Sequence, residues 1–448
     1  MSTSVSAYSF VKLGKEKLDT VNERSRLTVC VVGCGRKGLT HACLFADAGF
    51  KVIAADKSPK TVSMIKSSRR IFYNKKLNET LKKHVKEKRI NITTDVKKAA
   101  AESDVITIFA PVDVDEKGRI DYSCLEKTCK EIGLGMRKGS LVINMTTVTP
   151  GTTEELVRKT LENASGFKAG EDFGLGYASP INSPRIAAGI NEKSLKATAT
   201  VLRTITNGSL VTLENVKAAE TAFLFTMVQH GVDVALASEF SVFCEKVGVD
   251  YLEVQKAVNM HSNSLVLPRV SQLSSKPFQY VLEEAEALNL KMRITSSAKE
   301  NVENILAHAV RLVRNALRAC GKPLRRSRIA VLGVSAKPDR KEKNNNWFVK
   351  KFVETLAAKG ARIKVYDPFF TEKELNEMGY QAGKTLTQTL ENVDCIVVTV
   401  PHERFRKMNM RRLSFMVKMP AAIVDLAYIL DREKAEKEGF AFRGLGRG

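Results

Sequence analysis

The first half of the chain alternates short apolar runs with stretches of helical periodicity. The runs are rich in β-branched residues and have few polar interruptions, a pattern typical of parallel strands buried on both faces. Helical sequence lies between them, as in Leu39–Ala48. Strand followed by helix, repeated in this way, predicts a doubly wound parallel sheet. The predicted strands are Leu27–Val32, Lys51–Asp56, Val105–Ala110 and Leu141–Asn144.

The pattern changes after about Leu210 and later returns. Helical periodicity alone runs from Glu214 to Val247 and continues in three further segments, and an arginine-rich linker then begins at Gly321. Beyond the linker the alternation of strand and helix restarts, and the glycines after Phe442 are typical of a frayed tail. The predicted helices are Tyr251–Met260, Phe278–Leu288, Ser296–Cys320, Trp347–Lys359 and Leu386–Asn392, and the strands are Ile329–Leu332, Arg362–Tyr366, Cys395–Val400 and Ala422–Asp425.

We therefore predict an α/β protein with two Rossmann-like, doubly wound parallel-sheet domains joined by a long-helix connector. A chain of 448 residues is long enough for two or three domains of ordinary size. The predicted boundaries are 1–26 for a polar N-terminal tail, 27–210 for the first sheet domain, 211–321 for the helical connector and 322–448 for the second sheet domain.

The chain is strongly basic. Lysine and arginine outnumber aspartate and glutamate by 72 to 49, which gives a formal net charge of +23. Such an excess suits an anionic small molecule, a polyanion or an anionic membrane surface. The basic stretch from Ser58 to Lys88 is interpreted as a solvated helix face rather than a specific anion site. We expect no nucleic-acid partner, because no recognised motif is present and aromatic residues make up only 7% of the chain.

The apolar runs and the cysteines both favour a cytoplasmic protein. No run approaches the roughly 20 apolar residues of a membrane helix, so no membrane partner is expected. Residues 1–26 have no apolar segment of the signal-peptide kind. Eight cysteines form no CxxC pair and no metal pattern with the six histidines, so we predict free thiols and no metal site.

The strongest chemical signal is a glycine loop. Gly33, Gly35 and Gly38 form a G-x-G-x-x-G pattern with Cys34 and Arg36 between them, after a predicted strand and before a predicted helix. In a dinucleotide site the first glycine allows the tight turn and the second lets backbone N–H groups approach the pyrophosphate. The third lets the helix pack closely on the strand. The pattern therefore predicts a dinucleotide site.

The next strand indicates which dinucleotide. Asp56 ends this strand, eighteen residues after Gly38, where an acid accepts hydrogen bonds from the adenosine ribose and repels a 2′-phosphate. Lys57 beside it weakens that preference without reversing it. NAD is the predicted cofactor. The second sheet domain has only Gly333 at the corresponding turn, so we predict no second dinucleotide there, although Lys337 could meet another phosphate-bearing ligand.

From about Leu27 to Asp425 the ordered motifs resemble the UDP-glucose/GDP-mannose 6-dehydrogenase family of nucleotide-sugar dehydrogenases. Each motif alone is modestly specific, whereas their order and spacing together favour this lineage. The motifs are Val32–Gly38 with Asp56, Ala110–Asp113, Asp115–Asp121, Thr146–Glu154, Glu239–Asp250, Val365–Pro368 and Val400–Phe405.

The resemblance implies oxidation of a sugar C6 alcohol to a carboxylate with two NAD. It also implies that 27–210 binds NAD, that 211–321 pairs two chains in a homodimer, and that 322–448 holds the nucleotide of the sugar. Pro111, in the loop that resembles V-P-T-P, and Thr147 are expected at the cofactor. Thr147 and Lys337 are the two catalytic residues that match the family pattern.

The chain departs from the family at the reaction centre. The family uses a cysteine thiolate in a G-G-x-C loop to capture the aldehyde, but the matching stretch Leu267–Phe278 has neither cysteine nor glycine. Ser274 and Ser275 lie near the position of that cysteine, and Pro277 stands where the family has an aspartate. Ile181 or a gap stands where the family has its catalytic glutamate, and Asn344 where it has an arginine. Phe223 and Met227 stand where the family has a lysine and an asparagine.

Two functions follow from these observations. The first is an NAD-dependent oxidoreductase of the nucleotide-sugar dehydrogenase superfamily that acts on a CH–OH group through an altered reaction centre. The alternative is a non-catalytic protein that binds NAD or a nucleotide sugar as a sensor or assembly subunit. Lys276, Lys337, His230 and His261 are the side chains that could face the nicotinamide, and His230 is interpreted first as a core histidine.

Overall fold

A computed structural model shows two compact units. The first comprises Met1–Met227 and Gln279–Leu290, and the second comprises Val228–Phe278 and Lys291–Gly448. The predicted connector is thus shared between the units, and the domain boundaries given above remain a prediction. The structure describes residues 9–14, 18–67, 75–114, 119–180, 184–261, 265–270, 275–339, 341 and 346–447.

The first unit is built on an eight-stranded sheet in the order β10-β9-β8-β7-β4-β1-β2-β3. All neighbouring strands are parallel except β8 and β9. Strands β5 and β6 form a separate antiparallel hairpin. The strands are β1 (Thr28–Val32), β2 (Lys51–Ala55), β3 (Ile90–Thr93), β4 (Val105–Ile108), β5 (Asp113–Val114), β6 (Ile120–Asp121), β7 (Leu141–Asn144), β8 (Gly174–Ala178), β9 (Arg185–Gly189) and β10 (Leu210–Leu213).

Successive side chains along the central strands point alternately into two hydrophobic cores. Val29 and Val31 of β1 pack into one core, and Cys30 and Val32 pack into the other, so the strand is buried on both faces. For this reason the sequences of the central strands are continuous apolar runs. The helices up to β10 are α1 (Phe10–Leu13), α2 (Val21–Arg24), α3 (Arg36–Asp47), α4 (Pro59–Lys66), α5 (Lys75–Lys86), α6 (Val96–Ala101), α7 (Ser123–Gly135), α8 (Arg158–Ser165), which continues the π-helical turn Thr153–Val157, and α9 (Glu192–Arg203).

The strand order confirms a doubly wound sheet. β2 and β3 lie on one side of β1, and β4, β7 and β8 lie on the other. The order in which strands are added therefore reverses between β1 and β4, and ligands of such sheets bind at this switch point, beyond the carboxyl ends of the strands. Within the predicted basic stretch the structure describes α4 and α5, and residues 68–74 lie outside the described part.

The helical region contains α10 (Val216–Val247), α11 (Tyr251–Asn259), α12 (Lys276–Ala287) and α13 (Arg293–Ala319). The interpretation of His230 as a core residue was wrong, because its side chain is exposed on α10. Helical spacing in an apolar segment does not fix which residues face the protein when the helix has two apolar sides. Among the described residues, no helix is both long enough and apolar enough to cross a membrane.

The second unit carries a five-stranded, all-parallel sheet in the order β12-β11-β13-β14-β15. This too is a doubly wound arrangement, with its switch point between β11 and β13. The strands are β11 (Arg328–Leu332), β12 (Arg362–Tyr366), β13 (Cys395–Val398), β14 (Ala422–Asp425) and β15 (Ala441–Gly444), and the helices are α14 (Trp347–Ala358), α15 (Glu372–Glu377), α16 (Leu386–Leu390), α17 (Glu403–Arg406), α18 (Met410–Ser414) and α19 (Arg432–Lys437).

The prediction of a frayed C-terminal tail was wrong. β15 pairs with β14 up to Gly444, and the side chain of Arg447 is buried. Its guanidinium lies 3.2 Å from the carboxylate of Asp250 and 3.4 Å from that of Asp425. The glycines at this end allow the tail to follow a close path, since a side chain at Gly446 would meet Tyr251 at 2.5 Å.

Candidate functional site

The glycine loop joins β1 to α3 at the switch point of the first sheet. Gly33 has a φ of +97°, and a Cβ there would lie 2.5 Å from the carbonyl oxygen of Phe109. A Cβ on Gly38 would lie 1.9 Å from the carbonyl oxygen of Gly33. The first glycine is therefore required by the turn, and the third by the contact between helix and loop.

Gly35 meets a different requirement. It is the N-cap residue of α3, it is exposed, and no atom lies within 4 Å of the position that its Cβ would occupy. The open space therefore faces the amino terminus of a twelve-residue helix, where free N–H groups and the helix dipole favour an anion. These residues fit the pyrophosphate of a dinucleotide.

Asp56 follows β2, and its side chain contacts the glycine loop. Its Oδ2 accepts the backbone N–H of Cys34 at 2.7 Å, and its Oδ1 accepts that of Ser58 at 2.9 Å. The carboxylate is half-buried, so its orientation is fixed while part of it remains accessible. Each oxygen retains acceptor capacity that the hydroxyls of a ribose can use.

The other predicted loop residues play smaller parts. The Cys34 thiol is buried, and burial together with Asp56 raises its pKa well above the ordinary value, so it is not a nucleophile. Arg36 is half-buried in the first turn of α3. The Lys57 ammonium points to α7, where it lies 2.9 Å from the carboxylate of Glu131.

Pro111 lies on the same edge of the sheet, in the loop after β4. It is exposed, while Ala110 before it is buried. Helix α12 covers the following residues, because the Tyr280 hydroxyl donates to the carbonyl oxygen of Val112 at 3.2 Å. The Glu283 carboxylate accepts the backbone N–H of Ile120 in the hairpin at 3.1 Å.

Thr147 lies in the loop after β7 and is half-buried. Two side chains that the sequence reasoning missed hold this loop. The Tyr122 hydroxyl lies 2.8 Å from the hydroxyl of Thr149. The buried Glu220 carboxylate of α10 accepts the backbone N–H groups of Gly151 at 2.6 Å and Thr153 at 2.9 Å.

Glu220 is electrostatically unusual. Burial raises its pKa to about 7, although the hydrogen bonds from Thr153 and Gly151 act in the opposite direction. A signal for it exists in the sequence, since an acid stands within the apolar helical segment that holds Phe223 and Leu224. An acid at such a position needs donors from elsewhere in the fold.

Where the family has its catalytic lysine and asparagine, the resemblance places Phe223 and Met227. Phe223 is buried on α10 and Met227 is half-buried, and neither can donate a hydrogen bond to a substrate oxygen. Ser275 is half-buried and Pro277 is buried near the amino end of α12. Ile181, Ser274 and Asn344, which also bear on the predicted differences, lie outside the described residues.

Lys337 belongs to the second unit and is exposed in the loop after β11. The turn there repeats the geometry of the first unit, with Gly333 at a φ of +103° and Asp367 at the end of β12. Asp367 is fully buried, however, and accepts the N–H groups of Val334 and Ser335 at 2.8 and 3.1 Å.

His402 also occupies the Asp367 carboxylate. Its Nδ1 accepts the backbone N–H of Asp339 at 2.9 Å, so its Nε2 carries the proton and donates to Asp367 at 3.2 Å. The acid of the second unit is thus closed to a ribose, whereas Asp56 of the first is not. The glycine loop, Asp56, Pro111 and Thr147 share one sheet edge of the first unit. His230, His261 and Lys276 are exposed.

Two family models match the chain. Residues 27–184 match the NAD binding domain of the UDP-glucose/GDP-mannose dehydrogenase family, and residues 330–432 match its UDP binding domain. Together they cover more than half of the sequence.

Full-length relatives show the same likeness. A UDP-N-acetyl-D-mannosamine dehydrogenase of Pyrococcus horikoshii is 26% identical over 94% of this chain and 100% of its own. A UDP-glucose 6-dehydrogenase of Rhizobium meliloti is 24% identical over the same shares.

Solved structures agree in fold. The UDP-D-ManNAc dehydrogenase of P. horikoshii superposes with a TM-score of 0.84 at 25% identity, covering 94% of this chain and 100% of that one. A UDP-glucose dehydrogenase of Pyrobaculum islandicum gives a TM-score of 0.82 at 21% identity, covering 94% of this chain and 98% of that one.

Proposed function

This chain belongs to the UDP-glucose/GDP-mannose dehydrogenase family and carries its NAD-binding domain, and on that premise we propose that it oxidises the CH–OH group of a nucleotide-sugar-like substrate through an altered reaction centre. The observation that carries the proposal is the open space at Gly35, before the amino terminus of α3. Gly33 and Gly38 shape the loop around it, and Asp56 holds the loop in place.

NAD accepts a hydride from the substrate carbon when it is bound. Gly35 and the first turn of α3 would hold its pyrophosphate, and Asp56 its adenosine ribose. Pro111 and Thr147, at the ends of β4 and β7, would lie toward the reacting end of the cofactor. Cys34, Arg36 and Lys57 complete the proposed cofactor site.

The altered reaction centre limits the chemistry to one oxidation step. No cysteine lies between Cys244 and Cys320, so the loop that would hold the family thiolate offers none. In one step the hydride of the substrate carbon would pass to NAD and the hydroxyl proton to solvent water, which leaves a carbonyl group. On the family resemblance we assign catalytic roles to Thr147, in the first unit, and to Lys337, in the second.

A non-catalytic role is the second candidate function, and Phe223 and Met227 favour it. These apolar residues stand where the resemblance places hydrogen-bonding groups, and they give no stabilisation to a developing alkoxide. In that case the chain would bind NAD and a nucleotide sugar without turnover.

We also propose that the chain forms a homodimer through α10. Large apolar side chains are exposed along this helix, and Phe243 is 67% exposed. A stripe of this kind marks an interaction surface. The other members are Phe225, Leu236, Phe240 and Val247.

A cytoplasmic location fits the cysteines. All eight are free and six of them are buried. Free thiols persist in a reducing compartment.

Two measurements test the function. NAD at millimolar concentration should raise the melting temperature of the wild-type protein, and Asp56→Ala should diminish the shift. The absence of a shift in the wild type would rule out the cofactor site. NADH formation across a panel of nucleotide sugars and hydroxy acids then separates an enzyme from a binding protein, with Thr147→Ala as the control for catalysis.

A further inference from the structure

The amino-terminal edge of the second sheet carries a cavity that the proposed function does not use. Its volume is about 660 Å³, which is within the range of ligand sites in proteins. Arg328 and Arg362, the first residues of β11 and β12, line it together with Ile363 and Lys364. Ligands of doubly wound sheets bind at the opposite, carboxyl edge, so this cavity is not the site that the topology predicts.

Three cations on one face of the sheet line this cavity. Arg362 and Lys364 are two positions apart in β12, and Arg328 is the register partner of Arg362, so the three side chains share a face. All three are exposed, and across the part of the chain that the structure describes their side chains make no ion pair or hydrogen bond. Like charges at neighbouring register positions repel each other, and a bound anion would relieve this repulsion.

The neighbouring acids do not neutralise the three cations. The Oδ2 atom of Asp394 accepts the backbone N–H of Arg328 at 2.8 Å, but its Oδ1 atom lies 2.8 Å from the Lys322 ammonium and is paired with it. Glu391 is the one acid among the described residues that line the cavity. The lining therefore keeps an excess of positive charge, which favours a ligand with several negative charges.

β12 also presents unpaired backbone groups to the cavity, because it is an edge strand of the sheet. The Arg362 N–H donates inward, to the carbonyl oxygen of Ser327 at 2.8 Å, and the Val365 N–H donates outward, to that of Gln381 at 2.8 Å. Ile363 lies two residues before Val365, so its N–H and C=O also point outward, and no described residue pairs with them. Such an edge can accept a further strand.

The chain itself already pairs with the next position of this edge. The Gly383 N–H donates to the carbonyl oxygen of Val365 at 3.1 Å, and Val365 and Ala382 form a parallel bridge. Gly379, which comes shortly before this pairing in the chain, is exposed and lines the cavity. The edge of β12 therefore holds one extended segment beside Val365, and the position opposite Ile363 is open.

We propose that this cavity binds an extended acidic segment of a partner protein. The backbone of that segment pairs with Ile363, and carboxylates of its alternate residues contact Arg328, Arg362 and Lys364. A second copy of this chain is disfavoured as the partner, because each copy carries a net charge of +23. An inorganic polyanion uses the cations but leaves the backbone groups of Ile363 unpaired.

The test uses the full-length protein and a short, fluorescein-labelled peptide of alternating glutamate and valine, titrated by fluorescence anisotropy. The wild type should bind this peptide, and the affinity should fall as the salt concentration rises. Arg362→Gln combined with Lys364→Gln should weaken binding by about 5- to 10-fold, the effect of two exposed ion pairs. No binding to the wild type at millimolar peptide, or equal affinity for the double variant, would overturn the proposal.

A matched double variant controls for the change in net charge. Lys350→Gln combined with Lys351→Gln alters two exposed lysines of α14 that do not line the cavity, and should leave the affinity unchanged. A loss as large as that of the cavity variant would show that only the overall charge attracts the peptide. Melting temperatures equal to that of the wild type show that both variants are folded.

The contribution of the backbone is tested with the wild type alone. The same peptide with methylated backbone nitrogens keeps its carboxylates but cannot donate to the Ile363 carbonyl, so its affinity should be about 5- to 10-fold lower. A peptide with lysine in place of glutamate should not bind. Equal affinities of the methylated and unmethylated peptides would show that the cavity binds charge alone, and the assignment of the β12 edge would be wrong.

Two further measurements address the other occupants. If inorganic pyrophosphate binds to the wild type through Arg362 and Lys364 while the acidic peptide does not, the ligand is a small anion and the proposal is wrong. If the wild type self-associates without peptide and the double variant does not, the occupant is a second copy of the chain. That result would also overturn the proposal.

Discussion

Gly35 and Gly38 lie three residues apart, yet different physical constraints require glycine at each. A Cβ on Gly38 would overlap the Gly33 carbonyl, so Gly38→Ala should destabilise the fold by about 3 kcal/mol, at the upper end of overpacking effects. Gly35 has open space around it, so Gly35→Ala should cost less than about 1 kcal/mol, as for a changed N-cap residue. It should nevertheless weaken NAD binding by about 10-fold or more, because the added methyl group lies where the pyrophosphate approaches.

Urea unfolding and NAD titration of the two variants check this pair. The expected result is a crossed pattern, in which Gly35→Ala loses affinity and keeps stability while Gly38→Ala loses stability. Ala48→Gly, at the other end of α3, serves as the control and tests a mild helix-end effect. Normal NAD affinity in Gly35→Ala would contradict the assigned pyrophosphate position.

Glu220 predicts a pH dependence of stability. Its pKa is raised to about 7 in the folded protein from an ordinary value of 4.5, so the folded state holds a proton that the unfolded state has lost between these values. Its contribution is fully present below about pH 4.5 and is lost as the pH rises through about 7. The change amounts to about 3 kcal/mol at most.

Glu220→Gln should remove this part of the slope. Free energies of unfolding in urea at pH 5 and pH 7.5 should differ less for the variant than for the wild type. Glu155→Gln, an exposed acid of the neighbouring turn, should keep the wild-type slope. Equal slopes for Glu220→Gln and the wild type would show that the hydrogen bonds from Gly151 and Thr153 outweigh the burial of the carboxylate.

Sequence reasoning at this scale succeeds where one residue type is forced by local geometry. The positions of Gly33 and Gly38 could be predicted, because a turn and a helix contact each exclude a side chain. Glu220 and Arg447 could not, since their partners lie far away in the sequence: Glu220 binds residues 67 and 69 positions earlier, and Arg447 pairs with Asp250. Only the folded chain brings such pairs together.

The exposed face of α10 gives a prediction at the scale of one element. Phe243→Glu should place a charge in the proposed interface and shift the protein from dimer to monomer at micromolar concentration. Mass measured by light scattering during size-exclusion chromatography checks it. Leu134→Glu introduces the same charge at an exposed apolar residue of α7 and should leave the mass unchanged. A wild type that is monomeric at all concentrations would refute the proposed dimer.

Buried strands rich in β-branched residues were the easiest to predict from the sequence. Strands β7 and β14 match the predicted ranges, because a parallel strand between helices is apolar throughout. β12 also matches, although it is an edge strand in which Arg362 and Lys364 are exposed. The strands that were not predicted are β3, β5, β6, β8, β9, β10 and β15, although β8 is buried throughout. β10 has only four residues, Leu-Val-Thr-Leu, and none of them is buried, so its short apolar run does not by itself indicate a strand. Its pairing with β9 is what defines it.

At the scale of the whole molecule, the net charge of +23 has a partial explanation. Family membership and the UDP-binding domain favour phosphate-bearing small molecules as its partners. Part of the excess lies on an exposed surface, as at Lys82, Lys83 and Lys86 of α5, where charges are screened over roughly 10 Å at 0.1 M salt. The charge is therefore compatible with the proposed function without identifying the substrate.

The stoichiometry of the reaction tests the molecule as a whole. The segment from Cys244 to Cys320 contains no further cysteine, so a covalent step of the family kind has no thiolate there. We therefore expect any nucleotide sugar that is turned over to yield one NADH per molecule and a carbonyl product, rather than two NADH and a carboxylate.

Absorbance at the NADH band with limiting substrate, together with mass spectrometry of the product, measures both quantities. A family member that has the cysteine loop serves as the two-NADH control. Two NADH per sugar with a uronate product would show that another group performs the work of the missing cysteine, whereas NAD and UDP binding without any NADH would favour the non-catalytic role.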